Sequence, residues 1–306
     1  MSRATLILVC AVFALALVAL AGAPGAARAQ AVLTGEWTAS VKSEEPNKIQ
    51  LNFERRTGKG GRNQHGSAYD FAELQGLSRE QAQAGGPVKF SLVREAGTIE
   101  CEGSFQNGRG SGTFRFTASQ GFVSAMRARG FDFEKTSRSG HDGAAEERLF
   151  SAAALNVTTA LADDLLAADF GRLDVDDLFK AAIFKIDSKF MREMKASGFP
   201  NLGMEELVKA RIFKIDGEFA RQAAQMGFDK EPFESLVKMR IFKVTPEFIA
   251  EARNEGLSNL SVEELVKLRI FNIDADFIRR AKADGTPLEV EELVQRRIGV
   301  PGRRRN

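Results

Sequence analysis

Residues that could act as nucleophiles, bases or metal ligands are sparse in this chain. Its 306 residues include two histidines, His65 and His141, and two cysteines, Cys10 and Cys101. Both histidines lie among Gly, Ser, Asn and Asp, in segments typical of loops. So few His and Cys residues do not favour a metal site, and no Gly-x-Ser-x-Gly sequence indicates the nucleophile of a serine hydrolase. A Ser–His–acid arrangement at His65 stays open, because triads are assembled in space.

Adjacent acidic residues recur in the second half of the chain, and two carboxylates flanking a cleft are the machinery of glycosidases. Their regular recurrence favours a structural role instead. One carboxylate of each pair can stabilise a helix N-terminus while the other faces a Lys four residues later. The spacing predicts such intrahelical ion pairs at Glu205/Lys209, Glu234/Lys238 and Glu263/Lys267.

Basic residues at a constant spacing are the stronger candidates for binding. If the segments that carry them are stacked, these side chains line up in rows that could contact an extended acidic protein partner. The alternative is that each Arg pairs with acidic residues of the adjacent segment. The predicted partner-binding residues are Arg211, Arg240, Arg269, Lys185, Lys214 and Lys243.

Two other basic segments carry weaker signals. Arg55, Arg56, Lys59 and Arg62 lie in a Gly-rich stretch that lacks the Gly-Lys-Ser/Thr of a phosphate-binding loop, which favours a solvated hairpin. The chain ends in a basic tail, 301–306, in which Arg303, Arg304 and Arg305 could make weak contact with an anionic surface.

The first 29 residues have the pattern of a secretory signal peptide. Arg3 precedes the apolar stretch from Leu6 to Leu20, and Ala27-Arg28-Ala29 is a small-x-small cleavage site. An uncleaved membrane anchor is the alternative. Cleavage would leave 41 basic and 41 acidic residues and Cys101 as the sole cysteine, which predicts a buried thiol without an intramolecular disulfide. We therefore expect a periplasmic or secreted bacterial protein.

A 29-residue repeat dominates the second half. Its signature, Ile-Phe-Lys-Ile-Asp or a close variant, begins at Ile183, Ile212, Ile241 and Ile270. Each copy has helix N-cap residues, a glycine typical of a helix C-cap and a second N-terminal signal, which predicts two short helices per repeat. Such helices need neighbours for stability. The recurring apolar positions predicted to be buried are Phe190, Phe219, Phe248, Phe277, Leu207, Leu236, Leu265, Leu293, Ile212, Ile241 and Ile270.

The first half alternates apolar and polar residues with the period of β-strands, as at Ile49, Leu51 and Phe53. Ala96-Gly97 and Asn107-Gly108 predict tight turns between the last three of about six strands. The predicted fold is α+β: a small antiparallel meander, forming an open barrel or curved sheet, followed by an α-solenoid of helix hairpins. A closed helical bundle made of the same hairpins is the alternative for the second half. The predicted boundaries are 30–121 for the β domain and 122–300 for the repeat domain.

The repeat core, Glu-Glu-Leu-Val-Lys-x-Arg-Ile-Phe from Glu263 to Phe271, together with the segment from Val244 to Arg253, resembles a repeat of bacterial extracytoplasmic proteins. It is similar to the tail repeats of membrane metallopeptidase sensors of the BlaR1 type. The resemblance implies the repeat architecture and an envelope or sensory setting. The peptidase is not implied, because the chain has no His-Glu-x-x-His sequence.

These patterns predict a non-catalytic binding or scaffold module without a cofactor, whose repeat surface binds a protein partner. Gly35-Glu36-Trp37 resembles the start of a lipocalin, which keeps open the alternative of a small apolar ligand in the β domain, with Trp37 and Phe90 lining the cup. An envelope hydrolase is the third alternative. A cavity beneath Trp37 and Phe90 would favour the ligand, and an exposed row of Arg211, Arg240 and Arg269 would favour the scaffold.

Overall fold

The computed structural model of the protein describes residues 32–42, 44–56, 62–135, 145–168 and 171–299. The predicted signal segment 1–29, His141 and the basic tail lie outside these residues. The structure confirms the α+β fold class: an antiparallel curved sheet, open like half a barrel, is followed by an array of short helices.

Seven strands form one sheet in the order β3-β2-β1-β7-β6-β5-β4. β1 pairs with both β2 and β7, so the first strand joins two antiparallel meanders. The sequence predicts about six strands and the structure has seven. The difference arises because β3 is polar, with Tyr69 its one buried residue, and because β4 has only two residues. The strands are β1 Val32–Val41, β2 Lys48–Arg56, β3 Arg62–Asp70, β4 Leu74–Gln75, β5 Gly86–Arg94, β6 Gly97–Gln106 and β7 Arg109–Ala118.

Asn107-Gly108 makes the predicted two-residue turn between β6 and β7, with φ of 50° and 72°, as a type I′ hairpin requires. The β5–β6 turn lies one residue earlier than predicted: it comprises Glu95 and Ala96, and Gly97 already pairs with Arg94. Both hairpins keep the last three strands in the predicted meander.

Thirteen α-helices lie in the described part of the chain. The first, α1, begins at the predicted capping box of Ser78 and Gln81 and packs on the sheet. The others form six hairpins, each with a helix A and a helix B. The helices are α1 Arg79–Ala84, α2 Gln120–Ala128, α3 Ala145–Ala154, α4 Thr159–Ala167, α5 Val175–Phe184, α6 Ser188–Ala196, α7 Met204–Ile212, α8 Gly217–Ala223, α9 Phe233–Ile241, α10 Pro246–Asn254, α11 Val262–Ile270, α12 Ala275–Ala283 and α13 Val290–Arg297.

Helices A are the even-numbered α2 to α12, and helices B are the odd-numbered α3 to α13. Neighbouring helices A contact one another along the array, as in α4 with α6, and neighbouring helices B do the same, as in α5 with α7. The helices A form one layer and the helices B form another, and the hairpins stack along the array as in the predicted α-solenoid. Within the layers the repeated leucines Leu207, Leu236, Leu265 and Leu293 are at most 1% exposed.

Each helix B ends at a residue in the left-handed conformation: Lys185, Lys214 and Lys243 have φ of 53–54°. The amide of the next residue then donates to a carbonyl five positions back, as from Ile215 to Ala210 at 2.8 Å. This satisfies carbonyls that the helix end leaves unbonded. At the end of helix A the same role falls to the predicted glycines, such as Gly198 with φ of 99°.

Helix α3 joins the two parts of the molecule. Its Phe150 ring lies within 5.0–5.7 Å of the rings of Phe53, Phe114 and Phe116, centroid to centroid. At the end of α3, the buried Tyr69 hydroxyl donates to the carbonyl of Ala154 at 2.9 Å. The first helix B is therefore part of the core of the β domain, and the rigid packing of the two parts stays a prediction that these contacts support.

The prediction that Ile212, Ile241 and Ile270 are buried is wrong, because their side chains are 47–53% exposed. At 100° per residue Ile212 lies about 140° around α7 from the buried Leu207. It therefore points away from the layers. Phe277 is also only partly buried, whereas Phe190, Phe219 and Phe248 are buried as predicted.

None of the described helices is both long and apolar enough to cross a membrane by itself. The pair α3 and α4 passes the test of length and hydropathy when taken together, with a bend of 87° between the two helices.

Because α3 closes the core of the sheet, we expect Phe150→Ala to destabilise the β domain by about 3–5 kcal/mol. Trp37, the one tryptophan in the chain, lies in that domain, so the midpoint of urea unfolding followed by its fluorescence measures the effect. Phe213→Ala, which truncates a ring that is only partly buried, is the matched control. A Trp37 transition that moves no more in Phe150→Ala than in the control would contradict the role of α3.

Candidate functional site

The two residues predicted to line a ligand cup lie in the packed core. Trp37 and Phe90 are 1% and 3% exposed, and their rings meet edge to face at 5.2 Å. Gly103 and Gly112 pair on the adjacent strands, where a Cβ on Gly103 would lie 2.7 Å from the Trp37 ring. The glycines therefore let the indole lie against the sheet, and the space beneath it is filled by the chain itself.

A surface depression of about 500 Å³ on this domain is lined by polar residues such as Gln106 and Arg109, and not by Trp37 or Phe90. The face of the sheet that carries Phe53, the cross-strand partner of Trp37, is covered by Phe150 of α3. A cup filled by an aromatic side chain of the same protein does not favour the small-ligand alternative.

His65 lies in strand β3 and not in the loop that the sequence indicated. Its Nε2 atom is 3.0 Å from the Ser151 hydroxyl of α3, and its ring packs on Phe150 at 5.5 Å. Burial lowers the pKa of His65, and the nearby Glu147 carboxylate opposes this shift in part. Glu147 in turn pairs with Arg55 of β2. Sheet and helix are thus joined by a Ser–His contact and an ion pair.

This Ser–His pair lacks two features of a hydrolase. The Ser151 hydroxyl donates to the carbonyl of Glu147 at 2.9 Å, so its single proton is not directed at His65. Ser151 also lies inside α3, where neighbouring amides are engaged in helix bonds and cannot stabilise an oxyanion. The geometry favours a structural role for the pair.

Metal and thiol chemistry find no support among the described residues. No group of three or more His, Cys, Asp or Glu side chains there could hold a metal ion. Cys101 is buried in β6, and burial raises the pKa of its thiol well above the usual range, so the reactive thiolate is disfavoured.

The recurring arginines stack on aromatic rings. Arg211 lies 3.7 Å from the ring centroid of Phe190, and the same pair recurs as Arg240 with Phe219 at 3.8 Å. Further along the array the pairs are Arg269 with Phe248 at 4.1 Å and Arg297 with Phe277 at 5.2 Å. In each case the end of helix B is fixed over the start of helix A in the same hairpin.

Three of these arginines also bond to the preceding hairpin. Arg211 donates to the carbonyl of Lys185 at 2.7 Å, Arg269 to that of Lys243 at 2.9 Å, and Arg297 to that of Phe271 at 3.0 Å. These carbonyls lie at the ends of the preceding helices B, where helix bonding leaves them free. The predicted alternative of Arg–acid pairs between repeats is therefore wrong for these residues: three of the arginines link hairpins, but through backbone carbonyls and not through carboxylates.

Acidic residues of the next repeat pair with a different set of lysines. Lys180, Lys209, Lys238 and Lys267 each reach a Glu of the following helix B, at 2.5–3.0 Å. The predicted pairs within single helices, such as Glu205/Lys209, are thus replaced by pairs between hairpins. The bonds that Lys209 and Lys238 donate to Glu234 and Glu263 raise the pKa of both ammonium groups.

Lys185, Lys214 and Lys243, which we call the lysine row, are exposed and form no ion pair with any described carboxylate. Their neighbours in sequence, Asp187 and Asp216, accept bonds from the amides of Phe190 and Phe219 as helix caps. The positive charge of the lysine row is therefore directed at solvent.

A second row accompanies the lysines and was not recognised as a surface feature in the sequence. Five of the eight large apolar side chains that are exposed in the described part of the chain occupy one repeat position, and each is 47–55% exposed. These side chains recur at one position on the face of helix B that points away from the buried leucines, and this recurrence is the sequence signal that could have revealed them. We call this set the isoleucine row: Ile183, Ile212, Ile241, Ile270 and Ile298.

The first hairpin shows that the hairpin fold does not need this isoleucine. The corresponding residue of α3, counted from the left-handed residue Asn156, is Ala154, and the position of Arg211 is taken by Ala153. Both alanines are buried, since the β domain covers the end of α3. Ile therefore stands where the helix end is open, and Ala where it is covered.

Arg211→Ala removes a ring contact worth about 0.5–1 kcal/mol at an exposed site and a hydrogen bond worth about 1 kcal/mol. We expect it to lower the free energy of unfolding by about 1–2 kcal/mol, measured by urea unfolding with circular dichroism. Arg221→Ala, an exposed arginine of α8, should change it by less than about 0.5 kcal/mol. Equal effects of the two substitutions would show that the stacked arginine stabilises nothing.

Because burial lowers the pKa of His65 in the folded protein, the unfolded chain binds the proton more readily. Stability should therefore be complete above the unfolded value of about 6.5 and fall as the pH decreases toward the lowered folded value. We expect His65→Gln to flatten the pH dependence of the Trp37 unfolding midpoint between about pH 5 and 7. An unchanged slope would show that His65 is not protonated on unfolding.

Comparisons with known proteins give no indication of function, so the proposed function depends on the geometry described above. No protein-family model, no curated protein and no solved structure matches the chain. The similarity to sensor proteins of the BlaR1 type, drawn from the repeat residues, therefore stays a prediction.

Proposed function

We propose that the protein is a non-catalytic binding module of the bacterial cell envelope, periplasmic or secreted, which holds a protein partner on the open ends of its helices B. The export-type N-terminal sequence is the reason for placing it in the envelope. Two observations are the reason for preferring binding to catalysis: the described residues contain no group that could hold a metal ion, and the Ser151 hydroxyl beside His65 donates to a backbone carbonyl.

The isoleucine row is the observation that carries the proposal. Contiguous apolar surface is costly to leave in water, and on soluble proteins it marks interaction sites. Single exposed apolar residues need no explanation, but one residue type at one position of five successive hairpins is a pattern. Ile is moreover a mediocre helix former, so local helix stability does not account for its repetition.

The comparison within the chain supports the same conclusion. Where the β domain covers the end of a helix B, at α3, the position of the isoleucine is held by Ala154. Tyr69 of the β domain bonds to the Ala154 carbonyl, and Phe150 of α3 packs on Phe53 of the β domain. The helix-B ends are thus a surface on which another part of a protein already docks once in this molecule. The other five ends repeat that surface with larger apolar side chains.

Site-specific photocrosslinking in the native host tests the proposal. A photoreactive phenylalanine analogue replaces Ile212 or Ile241, and crosslinked adducts are identified by gel shift and mass spectrometry. We expect the same protein adduct from both positions, because a partner lying along the row contacts both.

The matched control places the analogue at Arg221 or Ala250, which are exposed on helices A. These positions should give no such adduct. Crosslinking that is equally strong from helices A and helices B, or none from either isoleucine position, would contradict the proposed face.

A further inference from the structure

We infer that the isoleucine and lysine rows bind an acidic polypeptide segment in extended conformation, with an apolar side chain at every third residue. This inference rests on the proposed function and specifies the chemistry of the partner. The segment lies across successive helices B. Its apolar residues contact Ile183, Ile212, Ile241 and Ile270, and its carboxylates face the lysine row.

The charge of the surface selects an acidic occupant. Two residues after each of Ile183, Ile212 and Ile241 stands an exposed lysine without a carboxylate partner among the described residues. The adjacent Arg211 and Arg240 have ring contacts and no described acidic partner. Elsewhere on helices B the protein pairs its lysines one by one with glutamates. On helices B from α5 to α11 and in the turns that follow them, the cations without a described acidic partner therefore lie beside the isoleucines, where carboxylates of a partner could pair with them.

The spacing of the row selects an extended segment. Packed helices lie roughly 8–10 Å apart, so successive isoleucines recur at about that distance. A polyproline II segment rises about 3.1 Å per residue with three residues per turn, so every third side chain lies on one face about 9 Å further on. A helix places its apolar stripe at a rise of about 5.4 Å per turn, which does not match a contact at each hairpin.

The same features argue against two other occupants. A second copy docked by its own row would bring lysine and arginine rows close together, and like charges repel. A lipid surface would be expected to meet Trp or Tyr at the interface, whereas the protein's single Trp37 and single Tyr69 are both buried in the β domain.

Labelled peptides test the inference with the purified full chain. The probe is five repeats of Leu-Glu-Pro, in which Pro favours the extended conformation and Leu recurs at every third residue. One comparison peptide carries Leu-Lys-Pro repeats, and another has the probe's composition with its leucines clustered. Fluorescence anisotropy should show the probe binding at least about tenfold more tightly than either comparison peptide.

Three sets of substitutions connect this binding to the surface. Ile212→Ser, Ile241→Ser and Ile270→Ser together should abolish it. Val32→Ser, Val93→Ser and Leu166→Ser, which remove equally exposed apolar side chains elsewhere, should leave it unchanged. Lys185→Glu, Lys214→Glu and Lys243→Glu should reverse the preference toward the Leu-Lys-Pro peptide. Circular dichroism confirms that each variant is folded.

Equal binding of acidic and basic peptides, or binding that survives the triple Ile substitution, would overturn the inference. So would row-dependent binding to phosphatidylglycerol vesicles without a peptide preference, or self-association in sedimentation that the Ile substitutions abolish. If the photocrosslinked adduct persists while the peptides show no preference, the partner chemistry is wrong and the proposed function stands. If neither is observed, the proposed function fails as well.

Discussion

Every hairpin in this molecule depends on its neighbours, because helices of seven to ten residues are too short to persist alone in water. Burial of a leucine and a phenylalanine stripe between the layers supplies the main stabilisation. Two sets of polar contacts fix the register: arginines that stack on a ring of their own hairpin, three of which also bond a carbonyl of the preceding one, and lysines that reach a glutamate of the next. The array begins with the hairpin of α2 and α3, and Phe150 of α3 is also part of the β core, so the sheet serves as the cap of the solenoid.

The same dependence divides the lysines of helices B and of the turns after them into two classes. Lys180, Lys209, Lys238 and Lys267 are occupied in holding successive hairpins together. The lysine row instead occupies the left-handed position at the ends of α5, α7 and α9, and its side chains form no ion pair with a described carboxylate. On helices B from α5 to α11 and in the turns after them, the cations that form no described ion pair therefore lie beside the isoleucines that the packing also leaves outside.

Much of this fold could be predicted from the sequence because the relevant signals are local. The caps at Asp187 and Asp216, the glycine at 198 and the turn at Asn107 each depend on a few adjacent residues. The errors arose where partners lie far apart in the chain. Lys209 had an acid four residues away, but the structure gives it Glu234 of the next hairpin. β3 carries almost no apolar signal and is held by pairing with β2 and by Tyr69. The burial of Ile212 was predicted from its residue type, which does not reveal which way a short helix faces.

The first hairpin separates what the repeat needs in order to fold from what the exposed face adds. It keeps the left-handed Asn156 and the bond from Val157 to the carbonyl of Ala152 at 2.8 Å, so the end of α3 has the geometry of the other helices B. It nevertheless has alanines at both positions, where the third to sixth hairpins have Arg and Ile and the second has Ala182 and Ile183. A position that tolerates Ala when the β domain covers it, and holds Ile whenever it is open, is governed by what lies outside the hairpin. In the five successive hairpins that carry the isoleucines, no described part of the chain covers this position. An apolar row flanked by lysines without a described acidic partner has the composition of a surface that a partner completes.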